Sequence, residues 1–382
     1  MSYSRLASYL ECPGCVLERT QKKRPKEPKH FTPVRQATLF GKGEPDARLV
    51  GTLLHVLVNF LHDSGGLLAK EQQEALLADP GVLTSFIRHE VLTLLQKAGK
   101  LNLAMFFDEL RLNGETLYTT LIAPMLRYQH DFASTGAVVF ATSERFQFKL
   151  LSTRNTFAGH PDWGGYVALV GEFDQIRLRN DIPAIMEFKK GLGRKNAWPS
   201  SLIAPLAEQV GGNGRLNAPS SSTLPSILHA MQLMIYWMAF QTRWDVLEKV
   251  AEVKGMVEDI RMPLHQQLDL IIYNLHDGCQ YQLQPTNHQE ALIALTNCIF
   301  HLNWAMKSGY AWHSPEHNCS KKQLVELPNR PVQVGYTTLS AQECYLLARD
   351  AFDRFKDTVR WRRVTASEEN RMARDNTAKE KY

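Results

Sequence analysis

The chain has 382 residues, of which 44% are hydrophobic and 22% charged, and its formal net charge is +5. This is the composition of a globular protein, and it excludes low-complexity and collagen-like chains. No apolar stretch reaches the roughly 18–20 residues that a membrane-spanning helix needs, and no secretory signal pattern is present. We therefore expect a cytoplasmic protein without membrane contact, in which the cysteines are thiols or metal ligands.

The first third of the chain has mainly helical patterns. A short helix is predicted at residues 3–18, and a strongly amphipathic one at residues 46–63, where leucines recur at helical spacing. Residues 19–45 carry several prolines and many charges and are expected to form a loop. Residues 64–135 are predicted to form a helical insertion beside the core.

Strand patterns begin near residue 136 and are interrupted at residues 191–225. That stretch is rich in Gly, Pro, Ser and Asn, and its length predicts a flexible insertion. Helices are predicted at residues 226–243 and 286–307, with the strand-like run DLIIYNL between them. This order of helices and strands predicts an α/β fold with a mixed central sheet flanked by helices.

The whole is expected to be one elaborated domain at residues 1–340. Its core elements are predicted at residues 1–63 and 136–285, with C-terminal helices at residues 286–340. Residues 341–382 are helical in pattern and then heavily charged, and they are predicted to form a charged helical tail.

The most informative pattern is a predicted hairpin. The runs GGYVALVGEFDQIRL and PAIMEFKKG are separated by Asn180 and Asp181, which suit a two-residue turn. Such a turn pairs Arg179 with Ile182. The register that follows from it decides which side chains lie opposite one another.

In that register Asp174 lies opposite Glu187, and Lys189 shares the face of Glu187 because strand side chains alternate. Two carboxylates and an ammonium group would then converge, an arrangement that suits a hard divalent cation with a lysine beside it. An ordinary hairpin with solvated acids is the alternative interpretation.

Three further groups of residues are candidates for the same site. Gly51 and His55 share a helix face, so the glycine would allow close backbone approach while the imidazole reaches a metal. Gln232 and Tyr236 have the same spacing in an apolar helix, where a buried glutamine needs partners. Glu144 is a candidate third carboxylate. Packing or simple exposure is the alternative for each of them.

Cysteines from distant parts of the chain are candidates for a second metal site. Cys12 and Cys15 form a C-x-x-C pair, and Cys319 lies close to His317. Thiolate and imidazole ligands suit zinc, and a shared site would tie the first helix to the C-terminal region. Unrelated thiols are the alternative.

Clusters of basic residues are candidates for nucleic-acid binding, because lysine and arginine attract a polyanion. A solvated loop is the alternative. The candidates are Lys22, Lys23, Arg24, Lys190, Arg194 and Lys195.

Five short motifs occur in one order within residues 2–240, and together they resemble the RecB-type branch of the PD-(D/E)XK nuclease superfamily. This branch includes the nuclease domains of recombination helicase-nucleases and CRISPR-associated exonucleases. The motifs are SYSRLASYLECP, GTLLH, GEFD, EFK and QLMIY.

The resemblance implies a restriction-endonuclease-like core and divalent-metal-dependent hydrolysis of DNA phosphodiester bonds. It implies that Mg²⁺ or Mn²⁺ is held by His55, Asp174, Glu187 and the carbonyl of Phe188. It also implies a role in DNA repair, CRISPR adaptation or anti-phage defence, with a helicase, recombinase or defence protein as partner.

The resemblance also assigns supporting roles. Lys189 would orient the attacking water or stabilise charge on the phosphate, and Gln232 and Tyr236 would support the lysine and the nucleic acid. Some members carry a four-cysteine iron–sulfur cluster. Here Cys319 is followed by Ser-Lys-Lys, so the second C-terminal cysteine of that pattern is missing, and zinc, a cluster and no metal all stay open.

Two other functions stay open on the sequence. The first is a nuclease-fold protein that binds DNA or a partner without cutting. The second is an unrelated helical interaction protein, for which no sheet would be found.

Overall fold

The structure is a computed structural model, and it describes most of the elements that surround the predicted hairpin. The described residues are 1–16, 40–41, 44–45, 47–63, isolated positions between 69 and 89, 121, 123–135, 137–151, 166–179, 182–190, 192, 225–242, 268–307, 309, 332–334 and 337–364.

These residues form helices and strands with the following bounds. The helices are α1 (Tyr3–Glu11), α2 (Ala47–Asp63), α3 (Ala123–Thr135), α4 (Ile227–Gln241), α5 (His288–Lys307) and α6 (Ala341–Asp357). The strands are β1 (Phe40–Gly41), β2 (Glu44–Pro45), β3 (Val138–Leu151), β4 (Tyr166–Arg179), β5 (Ile182–Lys189), β6 (Asp269–Asn274), β7 (Gln280–Pro285), β8 (Val332–Val334), β9 (Thr337–Leu339) and β10 (Val359–Val364).

Six of the strands form one mixed, open sheet in the order β10-β7-β6-β5-β4-β3. β5 and β6 run parallel, and the other neighbours run antiparallel. The sheet confirms the predicted α/β fold and excludes the purely helical alternative. The predicted hairpin register is confirmed from Arg179 and Ile182 to Gln175 and Met186, but the pairing ends there, so the predicted pairing of Asp174 with Glu187 does not form.

Helices cover both faces of the sheet. On one face, α1, α4, α5 and α6 pack with the sheet around the largest group of buried side chains. On the other face, the ring of Tyr128 in α3 lies 5.3 Å from that of Phe188 and 5.4 Å from that of Tyr273. α2 packs against α3 and β3. The end of β5 therefore lies between two helical layers.

Helix α4 is apolar on nearly every side, and most of its residues are buried. A helix of that kind belongs in an interior rather than at a surface. Its first turn is closed by Ser226 and His229, since the amide of Ser226 donates to Nδ1 of His229 at 3.1 Å. This cap fixes where the helix begins and hence where Gln232 and Tyr236 lie.

Three predicted elements differ in the structure. β8 and β9 form an antiparallel strand pair within residues 286–340, where C-terminal helices are predicted. The predicted first helix is interrupted at Cys12, because Pro13 disfavours a helical conformation there, and residues 13–16 are helical again. The predicted helical tail is right for α6 but wrong for β10, which forms an edge of the sheet. Val359 and Trp361 alternate inward and are fully buried there, a period of two that the surrounding arginines obscure.

Parts of the predicted insertions and tail lie outside the described residues. α3 is helical as predicted for the end of the segment at residues 64–135. Nearly all of residues 191–225 and everything after residue 364 lie outside the described ranges. Within the part of the chain that the structure describes, no helix is long and apolar enough to cross a membrane.

Gly171 in β4 is required by a cross-strand aromatic ring. A Cβ at this position would lie 2.8 Å from Cε1 of Phe146 and closer still to Cζ. The ring of Phe146 in turn packs against Phe173, with 4.7 Å between centroids, and against Tyr236. Only a residue without a side chain leaves this ring in place.

We expect Gly171→Ala to lower the free energy of unfolding by about 1–3 kcal/mol, because Phe146 must move within a packed interior. Gly51→Ala is the control, since the nearest described atom to a Cβ there is Cβ of Lys190 at 4.0 Å. Urea unfolding should show no loss for the control. Equal stability of the two variants would contradict this interpretation of Gly171.

Candidate functional site

The site forms where β4 and β5 separate. Their pairing extends from Arg179 and Ile182 to Gln175 and Met186 and ends there. One residue further on, Oδ2 of Asp174 accepts a hydrogen bond of 2.8 Å from the backbone amide of Phe188. The carboxylate thus takes the place of a backbone partner from β4 and lies beside the last residues of β5.

An irregularity in β3 and β4 accompanies this separation. Thr142 pairs with Gln175 and Glu144 with Phe173, so Ser143 lies opposite Asp174. Ser143 has a φ of 49°, in the left-handed region that a non-glycine residue rarely adopts. Strain of this kind persists only where surrounding contacts enforce it.

Helix α2 supplies two side chains to this irregular region, one helical turn apart. Nε2 of His55 lies 3.0 Å from the carbonyl oxygen of Phe188, and Nδ1 lies 3.4 Å from Oδ1 of Asp174. Nδ2 of Asn59 donates to Oγ of Ser143 at 2.7 Å. The helix therefore contacts β3, β4 and β5 at the level of Asp174.

On the other side of β5, a buried hydrogen-bond network holds Glu187. Lys189 donates to Oε1 of Glu187 and, at 3.3 Å, to Oε1 of Gln232. Nε2 of Gln232 donates to Oε1 of Glu187 at 2.7 Å and to the hydroxyl of Tyr236 at 2.8 Å. The buried glutamine predicted to need partners thus has three of them.

The two carboxyl groups have opposite pKa shifts. Burial favours the neutral form of both. His55 and Lys189 overcome this effect at Asp174 and lower its pKa. At Glu187, burial and the charge of Asp174 raise the pKa in spite of Lys189. Two acids in one buried place repel each other, so the second one holds its proton more tightly.

The two basic groups favour their charged forms. Burial alone would lower the pKa of Lys189, but Glu187 and Asp174 raise it. Burial likewise opposes the charge on His55, and Asp174 and Glu187 raise its pKa. Both ring nitrogens of His55 face oxygen atoms that only accept, an arrangement that favours the imidazolium.

Four residues near the site were not singled out by the sequence patterns. Asn59 follows His55 at helical spacing and Ser143 has no sequence signal. Burial and the charge of Glu187 raise the pKa of Tyr3. Burial and the charge of Lys189 lower the pKa of His229 to about 3. Helical spacing could have indicated Asn59 and also His229, which lies three residues before Gln232.

The donor atoms that a divalent cation needs are present but incompletely arranged. Among the described residues, no group of three or more His, Cys, Asp or Glu side chains is positioned to hold a metal ion. Oε1 of Glu187 faces Lys189, yet its buried Oε2 has no hydrogen-bond partner among the described residues. Together with Asp174, His55 and the Phe188 carbonyl it offers donor atoms of the type that Mg²⁺ and Mn²⁺ prefer.

Other predicted residues lie around this network. Glu144 pairs with Phe173 and lies beside the irregular Ser143. Among the described residues nothing approaches Gly51 closely, since the nearest atom to a Cβ there is Cβ of Lys190 at 4.0 Å. Lys190 follows β5 and lies against Gly51, at the edge of the site.

The proposed second metal site is only partly described. Cys12 is buried and Cys15 half-buried after α1, whereas His317 and Cys319 lie outside the described residues. The first helix is nevertheless tied to the C-terminal region, since the hydroxyl of Tyr345 donates to the carbonyl of Leu10 at 2.8 Å. The remaining basic candidates, Lys22, Lys23, Arg24, Arg194 and Lys195, lie outside the described residues.

No protein-family model and no curated protein matches this chain.

The His55–Asp174 pair predicts a pH window of stability. The raised pKa of His55 contributes stability below its unfolded value of 6.5, which is lost as pH rises through the folded value. The lowered pKa of Asp174 contributes stability above its unfolded value of 3.8, and this stability is lost as pH falls through the folded value. The pair should therefore stabilise the folded protein most between pH 3.8 and pH 6.5.

We expect His55→Gln to lower the free energy of unfolding of the metal-free protein most within that window, by about 1 kcal/mol or more. Urea unfolding over a pH series measures this difference. His130→Gln, at a position whose side chain is 87% exposed, is the control. A difference that grows steadily above neutral pH would contradict the assignment.

Ser143 offers a second prediction. Ser143→Val should resist a positive φ, move Asp174 and weaken Mn²⁺ binding about tenfold or more, as loss of an outer-shell partner does. Ser143→Gly accepts the same φ and should retain most of the affinity. Titration with Mn²⁺ distinguishes the two. Equal affinities would show that the strained backbone does not position Asp174.

Proposed function

We propose that this protein is a divalent-metal-dependent nuclease that hydrolyses DNA phosphodiester bonds. The observation that carries the proposal is the meeting of Asp174, Glu187, Lys189 and His55 around the end of β5, where β4 has separated from it. Carboxylates and an amine buried together are costly, and such groups cluster at active sites.

The residues that would hold the cation are Asp174, Glu187, His55 and the carbonyl of Phe188. A bound Mg²⁺ or Mn²⁺ would supply an activated water and neutralise charge on the phosphate. Binding requires His55 to be neutral, so it would lose a proton from the imidazolium. Its two present acceptors, Asp174 and the Phe188 carbonyl, belong to the same donor set.

Lys189 acts in this proposal as a fixed positive charge. Its raised pKa keeps it an ammonium group, which cannot accept a proton from water. It can donate to a phosphate oxygen or to the attacking water and stabilise the negative charge that develops. Both roles implied by the resemblance need only hydrogen-bond donation, so an ammonium group can serve either of them but cannot act as a general base.

Gln232 and Tyr236 position that ammonium group. The amide oxygen of Gln232 accepts from Lys189, while its nitrogen donates to Glu187 and Tyr236. Burial and the charges of Glu187 and Asp174 raise the pKa of Tyr236, so the phenol stays protonated. A side chain held by several bonds keeps its geometry when substrate binds.

The fold supports a restriction-endonuclease-like core as part of the proposal. The motif residues lie in the order helix, hairpin and helix on a mixed sheet with helices on both faces. The proposed setting, in DNA repair, CRISPR adaptation or anti-phage defence with a helicase, recombinase or defence partner, rests on the motif resemblance alone.

We expect Lys189→Ala to reduce cleavage of end-labelled DNA in Mn²⁺ by about 10²–10³-fold, the usual loss for one transition-state donor. Asp174→Ala should reduce it at least as far. Lys356→Ala is the matched control, because Lys356 lies at the opposite end of the sheet from Lys189. It is close in sequence to Val359, which pairs with Pro285 at the end of β7, whereas Lys189 pairs with Asn274 near the start of β7.

Full activity of either site variant would refute the proposal. A wild-type protein that binds DNA but never cleaves it in Mg²⁺ or Mn²⁺ would instead favour the non-cutting, partner-binding alternative. Circular dichroism and urea unfolding of each variant show whether the fold is intact.

A further inference from the structure

A two-stranded ribbon extends from the site. β4 leaves β5 after Gln175, but β3 and β4 remain paired from Glu144 and Phe173 to Leu151 and Tyr166. The inner side of this ribbon is buried against α1 and α4. Its buried residues are Phe146, Phe148, Val167, Leu169 and Phe173.

The outer side of the ribbon, called here the ribbon face, is open to solvent. It carries basic, amide and aromatic side chains together with one acid and one valine. The exposed members are Arg145, Gln147, Lys149, Tyr166, Val170 and Glu172. Two large apolar side chains are exposed on it, since Tyr166 is 53% and Val170 39% exposed.

The ribbon face leads directly to the site. In β4 every second residue from Tyr166 onward lies on it, and Asp174 is the next member of that row. In β3 the row that contains Lys149 ends at Ser143, opposite Asp174. At a rise of about 3.4 Å per residue, the face extends roughly 27 Å from Asp174 to Tyr166.

Its charged groups are placed where a phosphate chain could contact them. Nζ of Lys149 lies 4.8 Å from the centre of the Tyr166 ring. Nε of Arg145 lies 3.3 Å from Oε2 of Glu172, in a pair whose side chains are 88% and 46% exposed. An ion pair so exposed contributes little to stability, so an incoming phosphate can compete with the carboxylate for the guanidinium.

We propose that the ribbon face binds a single strand of nucleic acid and guides it to the site, with phosphates at Lys149 and Arg145 and an unpaired base on Tyr166. This inference rests on the proposed function. Spaced cations beside an exposed ring suit one strand, since stacking on a ring requires a base that is not paired. A duplex would offer phosphates but no open base face.

Binding of a long, fluorescently labelled single strand without metal ion tests this. Variants are made in the Lys189→Ala background so that no cleavage interferes. We expect Lys149→Ala to weaken binding and to reduce the slope of log Kd against log salt by about one. Tyr166→Ala should weaken binding about fivefold or more. Lys356→Ala should change neither quantity.

Wild-type-like affinity and salt slope in both ribbon variants would overturn the inference. Tighter binding of a duplex, with no effect of Tyr166→Ala, would also overturn it. Both results are distinct from failure of the proposed function, which appears as absence of cleavage in the protein with Lys189 intact. Lys149 and Tyr166 are exposed, so their substitutions should leave the unfolding midpoint near that of the Lys189→Ala protein.

Discussion

The site depends on one hydrogen bond, between the amide of Phe188 and the carboxylate of Asp174. A backbone amide in a partly buried strand needs an acceptor, and β4 no longer provides a carbonyl at this level. The side chain of Asp174 supplies it from the strand that has moved away. The carbonyl of Phe188 is met by His55 in the same manner. Separation of two strands thus creates the opening, and side chains satisfy the backbone that it exposes.

Charge balance follows from that arrangement. Asp174 is ionised and Lys189 and His55 favour their cationic forms, while the pKa of Glu187 is raised. The imidazolium of His55 lies between a carboxylate and a carbonyl, the same acceptors that a divalent cation would use. A proton on His55 and a metal ion therefore compete for one set of donors. Metal affinity of such a site rises with pH until the imidazole is neutral.

The sequence predicts the hairpin and its register because turn chemistry and strand alternation are local properties. It also indicates that Asp174 and Glu187 approach each other. It does not reveal how they do so: Phe173 and Ile176 both enter the same interior although alternation would separate them, so the strand is irregular at Asp174. The positive φ of Ser143 and its bond to Asn59 have no local signal, since tertiary contacts impose them.

The strand β10, in place of the predicted helical tail, is likewise determined by tertiary contacts, and it matters for the site. β10 carries charge on its outward side, and its inward Val359 and Trp361 become meaningful only beside β7. Once β10 and α6 are part of the fold, Tyr345 in α6 can hold the end of α1 through Leu10. α1 begins with Tyr3, and burial together with the charge of Glu187 raises the pKa of its phenol. A chain cut after residue 340 would therefore lose support for the wall of the site as well as an edge of the sheet.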